Sequence, residues 1–195
     1  MRDSFLQGMI WTAVCGYTFE DVRRDQSATI WGGGAGSAFS KLFRLLFGTA
    51  QTAGSNLAAV LQWKSESARL IDHVVGTSEE VMQEVVFDEY KGLSKFLPGN
   101  NRRLEDEFYK ELEKIFEDAV HLHATFMKSR ALFYIDWAGL LYDPERHNAE
   151  AWVQDLSNQS IVLFSISPGL IKMGNADGDS YDKRIRLAKS SVVCN

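Results

Sequence analysis

Between Tyr134 and Trp152 the chain gathers the residue types that general acid–base chemistry uses. Asp136, Asp143, Glu145 and His147 lie close to Trp137 and Tyr142 in the sequence. A carboxylate held among aromatic rings is desolvated, which raises its pKa toward the range where it can give and take a proton near neutral pH. Asp143 is explained as a helix cap, Glu145 as a first-turn acid and His147 as a helix residue, so Asp136 and His147 stand as the catalytic candidates, with Asp136 the one left unexplained. Tyr134, Trp137, Tyr142 and Trp152 are the candidate ligand-binding residues, an aromatic pocket with Asp136 as its polar group.

Other polar clusters are weaker. Glu117 precedes His121 by one helical turn, so the two share a face and could hold a metal. His123 is rotated by about 200° from His121 and points elsewhere. Asn175, Asp177, Asp179 and Asp182 offer oxygens at alternating positions, but Gly and Glu are missing from the sixth and twelfth places of a calcium loop, and a hairpin turn is the expectation. The run from Gly32 to Gly36 precedes a helix, where backbone amides attract anions. It lacks the Lys-Ser/Thr pair of a phosphate loop and the strand and spacing of a dinucleotide fold. Neither Cys15 nor Cys194 sits in a Cys-x-x-Cys motif, and no hydrolase elbow or His-Glu-x-x-His helix is present. No metal site and no cofactor is implied.

The elements that would position these residues are mostly helices. Apolar residues at Phe5, Met9, Ile10, Ala13 and Val14 predict a helix within 5–24, broken near Gly16 and Tyr17. Ser37 is the expected cap of a helix carrying Phe39, Leu42, Phe43, Leu46 and Phe47, with Gly48 as its stop. That stripe reads as core, or as a face for a membrane surface. A third helix spans 56–75 and ends at Gly76. A fourth begins at Thr77-Ser78-Glu79-Glu80 and ends before Pro98-Gly99-Asn100. The segment 104–132 has the longest stripe, from Leu104 through Phe108, Leu112, Ile115, Phe116, Ala119, Leu122 and Phe126 to Leu132, and is the expected spine. A strand is expected at 133–137, then a helix from Asp143-Pro144 through Trp152. Strands at 160–167 and 185–193 flank strong turn residues and should pair antiparallel.

The fold class is therefore mainly α (α+β), a multi-helix domain with a small C-terminal antiparallel β-hairpin. One domain, 1–195, is expected, with 1–36 a candidate mobile arm, 37–132 the helical core and 133–195 a mixed segment ending in the hairpin. With 45% hydrophobic and 24% charged residues the chain has the composition of a folding domain rather than a disordered one. A net charge of −5 argues against nucleic acid, which requires clustered Lys and Arg. Two cysteines suit a reducing compartment, and Asp3 stands where a signal peptide needs basic residues. Arg44, Gln62 and Lys64 interrupt the longest candidates for the roughly 20 apolar residues that a transmembrane helix needs.

Tyr17-Thr18-Phe19 with Val22-Arg23-Arg24-Asp25, the Trp63-to-Leu70 helix and Tyr142-Asp143-Pro144-Glu145 resemble a group of uncharacterised proteins of filamentous fungi. The match continues through Ser167-Pro168-Gly169-Leu170-Ile171-Lys172, Gly174 to Gly178, Tyr181-Asp182 and Val192-Val193-Cys194. This resemblance implies a fungal cytosolic origin and no particular activity. Tyr142-Asp143-Pro144-Glu145-Arg146-His147-Asn148-Ala149, followed by a glycine turn and two strands, also looks like the end of GrpE nucleotide-exchange factors. The long polar paired helix of that family has no counterpart in the apolar N-terminal half, so no functional residue is carried over. Caps and turns account for most of the polar clusters, which makes the expected function that of a non-enzymatic, cytoplasmic interaction or regulatory protein with a protein partner. The alternatives are a small accessory enzyme or ligand-binding protein of a fungal specialised-metabolite pathway, and a peripheral membrane protein.

Overall fold

The computed structural model describes residues 2–19, 29–53, 56–97, 102–151, 155–175 and 177–195. Five helices come first: α1 (Arg2–Val14), α2 (Gly33–Ala53), α3 (Leu57–Val74), α4 (Glu79–Leu93) and α5 (Arg102–Lys128). A π-helical turn, Cys15–Phe19, continues α1, and a 3-10 turn, Ser94–Phe96, continues α4. Six strands follow: β1 (Leu132–Asp136), β2 (His147–Ala151), β3 (Val162–Ser167), β4 (Gly169–Met173), β5 (Arg184–Ala188) and β6 (Ser190–Cys194). The architecture is mainly α with a C-terminal β unit, as the periodicities predict. Residues 20–24 of the first expected helix, the expected stop at Pro98-Gly99-Asn100 and the candidate Trp152 lie outside the described residues.

α5 is the spine. Leu112, Phe116, Ala119, Val120 and Ala124 are buried along one side, against Met82, Val85 and Val86 of α4, Ala68 of α3, Phe39 of α2 and Val14 of α1. This stripe is displaced from the expected one, because Leu104, Ile115 and Leu122 remain exposed while Val120 and His123 turn inward. α1, within the segment considered as an arm, lies on β3 with Phe5 edge-on to Phe164 at 6.0 Å. Gly8 permits this approach: a Cβ there would come within 2.6 Å of the Ser165 carbonyl oxygen.

The helix boundaries follow from caps and backbone geometry. Asn56 caps α3 by accepting from the Ala59 amide at 3.2 Å, and Gly76, at φ +66°, closes the other end. Ser78 precedes α4 in extended conformation, but its side chain makes no capping bond, and its carbonyl receives the Met82 amide instead. Two expectations for α2 are corrected. It begins at Gly33, since Gly32 and Gly33 take the positive φ of the entry turn, which leaves Ser37 inside the helix. It also runs through Gly48 to Ala53, because an interior glycine costs a helix only about 1 kcal/mol. Phe39 is buried, and Phe43 and Phe47 pack against Leu61, Leu132 and Met173, so these three residues of the stripe belong to the core, while Leu42 is 45% exposed.

The β unit is one long hairpin bent across two sheets. Pro168 separates β3 from β4 and Lys189 separates β5 from β6, so the two arms leave one sheet and enter the other together. One sheet has the order β1-β4-β5, all antiparallel; the other has the order β2-β6-β3. In the latter β3 and β6 are antiparallel, while β2 and β6 are parallel. The hairpin tip is the expected turn, with Asn175 Oδ1 accepting from the amides of Asp177 (3.1 Å) and Asp179 (2.8 Å).

The expected helix from Asp143 through Trp152 is corrected as well. Asp143 does act as a cap, its Oδ1 accepting from the Glu145 amide at 2.9 Å. A single turn follows, and His147 then starts β2, which pairs with β6 from Ser190 onward. Hydrogen bonds to a distant strand override the local helical preference here.

Candidate functional site

Asp136 ends β1 facing Gly169 of β4. Its Oδ1 accepts from Arg146 Nη2 at 3.1 Å and its Oδ2 from Arg186 Nη1 at 2.5 Å. Burial works to raise the pKa of this carboxyl, but the hydrogen bonds and positive charges of Arg186 and Arg146 outweigh it and hold the pKa below the usual carboxylate range. The group therefore remains ionised near neutral pH, with both oxygens engaged. Its evident chemistry is that of a clamp joining the turn before β2 to β5.

His147 is 2% exposed, and its Nδ1 accepts from the Asp143 amide at 3.0 Å. That bond selects the tautomer with its proton on Nε2. Desolvation, followed by the charge of Arg146, pushes its pKa down, so the ring is neutral. Nε2 is buried and finds no hydrogen-bond partner among the described residues. Asp136 bonds to the two arginines and His147 to the Asp143 backbone, so the two catalytic candidates share a neighbourhood without sharing a proton path.

Of the aromatic candidates, Tyr134, Trp137 and Tyr142 do not converge. Tyr134 borders a cavity of about 260 Å³ with Phe126, Ile135 and His123. Trp137 borders a separate groove beside α1, with Phe5, Met9 and Phe164. Three residues apart on an extended chain puts two side chains on opposite faces, which is sufficient reason for the separation. Tyr142 lies 6.0 Å from the His147 ring, centroid to centroid. The helix expected from Asp143 through Trp152 is the turn and strand described above, and Trp152 lies outside the described residues. Glu117 and His121 do share one surface depression, but no group of three or more His, Cys, Asp or Glu able to hold a metal occurs among the described residues.

Two buried bases were not singled out by motif. Lys64 is 2% exposed and donates to the carbonyls of Phe126 (3.2 Å) and Ala131 (2.9 Å), while Ser65 donates to that of Lys128 at 2.7 Å. These side chains of α3 cap the carbonyl end of α5. Burial lowers the Lys64 pKa to about 8, with no carboxylate paired to it among the described residues. The signal was present in the spacing Leu61, Lys64, Ser65, Ala68, which puts both polar residues on the buried stripe of α3. Nearby, Trp31 Nε1 donates to Asp72 Oδ1 at 2.9 Å and Lys128 Nζ to Asp72 Oδ2 at 2.6 Å, joining the entry to α2, α3 and α5.

His123 projects from α5 into the core, with Phe19 and Trp31 edge-on to its ring at 5.6 and 5.7 Å. Burial, reinforced by the charge of Lys64, lowers its pKa to about 4. It borders the Tyr134 cavity and also a second one of about 210 Å³, lined by Thr18 and Phe19 of the π turn, Phe43 of α2 and Phe133 of β1. Among the described candidate residues, then, Tyr134 alone lines a cavity with this buried histidine. Compared with known protein families, curated proteins and solved structures, the chain matches none.

Proposed function

We propose that this chain is a non-enzymatic interaction or regulatory protein that engages a protein partner through the apolar edge beside β3. The supporting observation is a group of aliphatic side chains gathered by backbone pairing. Leu141 bridges Ile161, and Leu163 follows two residues on, on the same face as Ile161. Leu141, Ile161 and Leu163 are 54%, 42% and 54% exposed. Grouped aliphatic side chains gain about 25 cal/mol for each Å² withdrawn from water, and such groupings recur at protein interfaces. The Asp136 clamp supports the non-enzymatic reading, since its carboxylate is committed to two arginines. Cys15 and Cys194 are buried thiols not joined to each other, which suits a reducing cytoplasmic setting.

The test is to compare wild type with a Leu141→Lys/Leu163→Lys double variant during purification from cells that express the protein. A stoichiometric partner that accompanies wild type and falls at least tenfold in the variant, at an unchanged circular dichroism spectrum, is the expected result. Equal recovery of that partner, or no partner with wild type, refutes the proposal.

A further inference from the structure

We infer that the groove beside α1 is a binding site for a trimethylammonium group, with Phe5, Trp137 and Phe164 as its aromatic walls and Glu89 as its counter-charge. One face of α1 builds this groove of about 490 Å³. Phe5, Gly8, Met9, Thr12 and Ala13 recur at helical spacing, so they line a single side of that helix. Because Gly8 lets α1 lie close to β3, Phe5 reaches Phe164, and the two rings stand at 83° with centroids 6.0 Å apart. Nearly perpendicular rings bound the space as a corner, and Trp137, just past the end of β1, adds a third ring.

The charge of the ligand follows from this lining. Glu89 of α4 is the one ionisable side chain among the described lining residues, and it forms no ion pair or hydrogen bond with any described residue. The faces of aromatic rings are negative, and they attract a cation placed over them. An unpaired carboxylate beside three rings, in a chain of net charge −5, therefore favours a cation over a neutral or anionic ligand. The substituents of that cation follow from the same walls. A primary ammonium is a compact, strongly hydrated charge, and ring faces do not replace its water. A trimethylammonium group has no N–H to satisfy and presents methyl groups to the rings, so it gives up less on leaving solvent. The groove is open on one side, which leaves a path for the chain that carries the group.

The experiment titrates the full chain by calorimetry with choline, with its uncharged tert-butyl analogue dimethylbutanol and with ethanolamine, and follows the indole resonance of Trp137 by NMR. The expected result is saturable choline binding with a Kd on the order of 1 mM, both controls weaker by at least about fivefold, and a Trp137 shift that tracks choline occupancy. Glu89→Gln keeps the size of a side chain that pairs with no described residue, so the ligand-free variant should melt at the wild-type temperature. Its choline affinity should nevertheless fall about three- to tenfold, with dimethylbutanol affinity unchanged. An acetylated trimethyllysine amide titrated alongside separates the sources of the group: tighter binding than choline assigns the site to a methylated lysine of a partner protein, and weaker binding assigns it to a free metabolite. Choline failing to saturate by about 50 mM, dimethylbutanol or ethanolamine binding as tightly as choline, an unmoved Trp137, or Glu89→Gln leaving choline affinity unchanged would each overturn the inference.

Discussion

Replacing Lys64 by methionine should remove a pH dependence that the wild-type protein shows between about 8 and 10.5. Lys64 is 2% exposed, hydrogen-bonded to two carbonyls and without a carboxylate partner among the described residues, and its pKa falls from 10.5 to about 8 on folding. Across that window the unfolded chain holds one proton more than the folded chain, so stability rises with pH. At about 1.36 kcal/mol per unit, the full rise is about 3 kcal/mol. It is complete above 10.5 and lost as the pH falls through 8. Methionine keeps most of the stem and removes the charge, but it leaves the Phe126 and Ala131 carbonyls without their donor, at about 1–3 kcal/mol. At pH 7 this loss and the relieved desolvation nearly offset, so Lys64→Met should lie within about 2 kcal/mol of wild type. With rising pH the wild type gains and the variant does not. Urea unfolding of both proteins at pH 7.5, 8.5 and 9.5 gives the difference curve, from which every other titrating group cancels. A gap that widens by about 2 kcal/mol is expected, and parallel curves would refute the buried-cation account.

Three further outcomes follow from the same geometry. His123, with its pKa lowered to about 4, contributes stability that is present above its ordinary 6.5 and lost as the pH falls toward 4, so wild type should lose about 3 kcal/mol over that span relative to His123→Leu; equal acid sensitivity of the two proteins would contradict this. Asp136→Asn leaves Arg146 and Arg186 without their shared anion and should cost about 1–3 kcal/mol in chemical denaturation. Because the Asp136 pKa is depressed, that deficit should be complete above its ordinary 3.8 and shrink below it, whereas a pH-independent deficit would argue against the ion pairs. In α2, Gly48→Ala meets nothing within 4 Å and should stabilise by about 0.5–1 kcal/mol, while Gly8→Ala drives a Cβ toward the Ser165 carbonyl and should destabilise by about 1–3 kcal/mol; melting temperatures that move in the same direction would undo the assignment of α1 to the β3 surface.

The amino-acid sequence by itself determined the features set by neighbours a few residues apart. The five helices follow from apolar spacing, the ends of α3 from Asn56 and Gly76, and the hairpin tip from Asn175 and the aspartates after it. Helical hydrogen bonds and caps close over three or four residues, so their signals are local. Tertiary structure alone decided the rest. Asp143 to Ala151 reads as a helix until β6 offers a parallel partner 43 residues beyond His147. Pro168 and Lys189 look like interruptions within strands, yet they are the corners where two arms change sheets. The candidate site divides along the same line. Asp136, His147 and the aromatic residues were visible by type, but the arginines that bind Asp136 come from a turn ten residues away and a strand fifty residues away. Likewise, two histidines near the end of α5 look alike in sequence, and only packing against Phe19 and Trp31 makes His123 a buried, neutral base while His121 stays exposed. Burial and strand pairing depend on segments that meet only once the chain has folded, and desolvation at those meetings sets the charge state of each group.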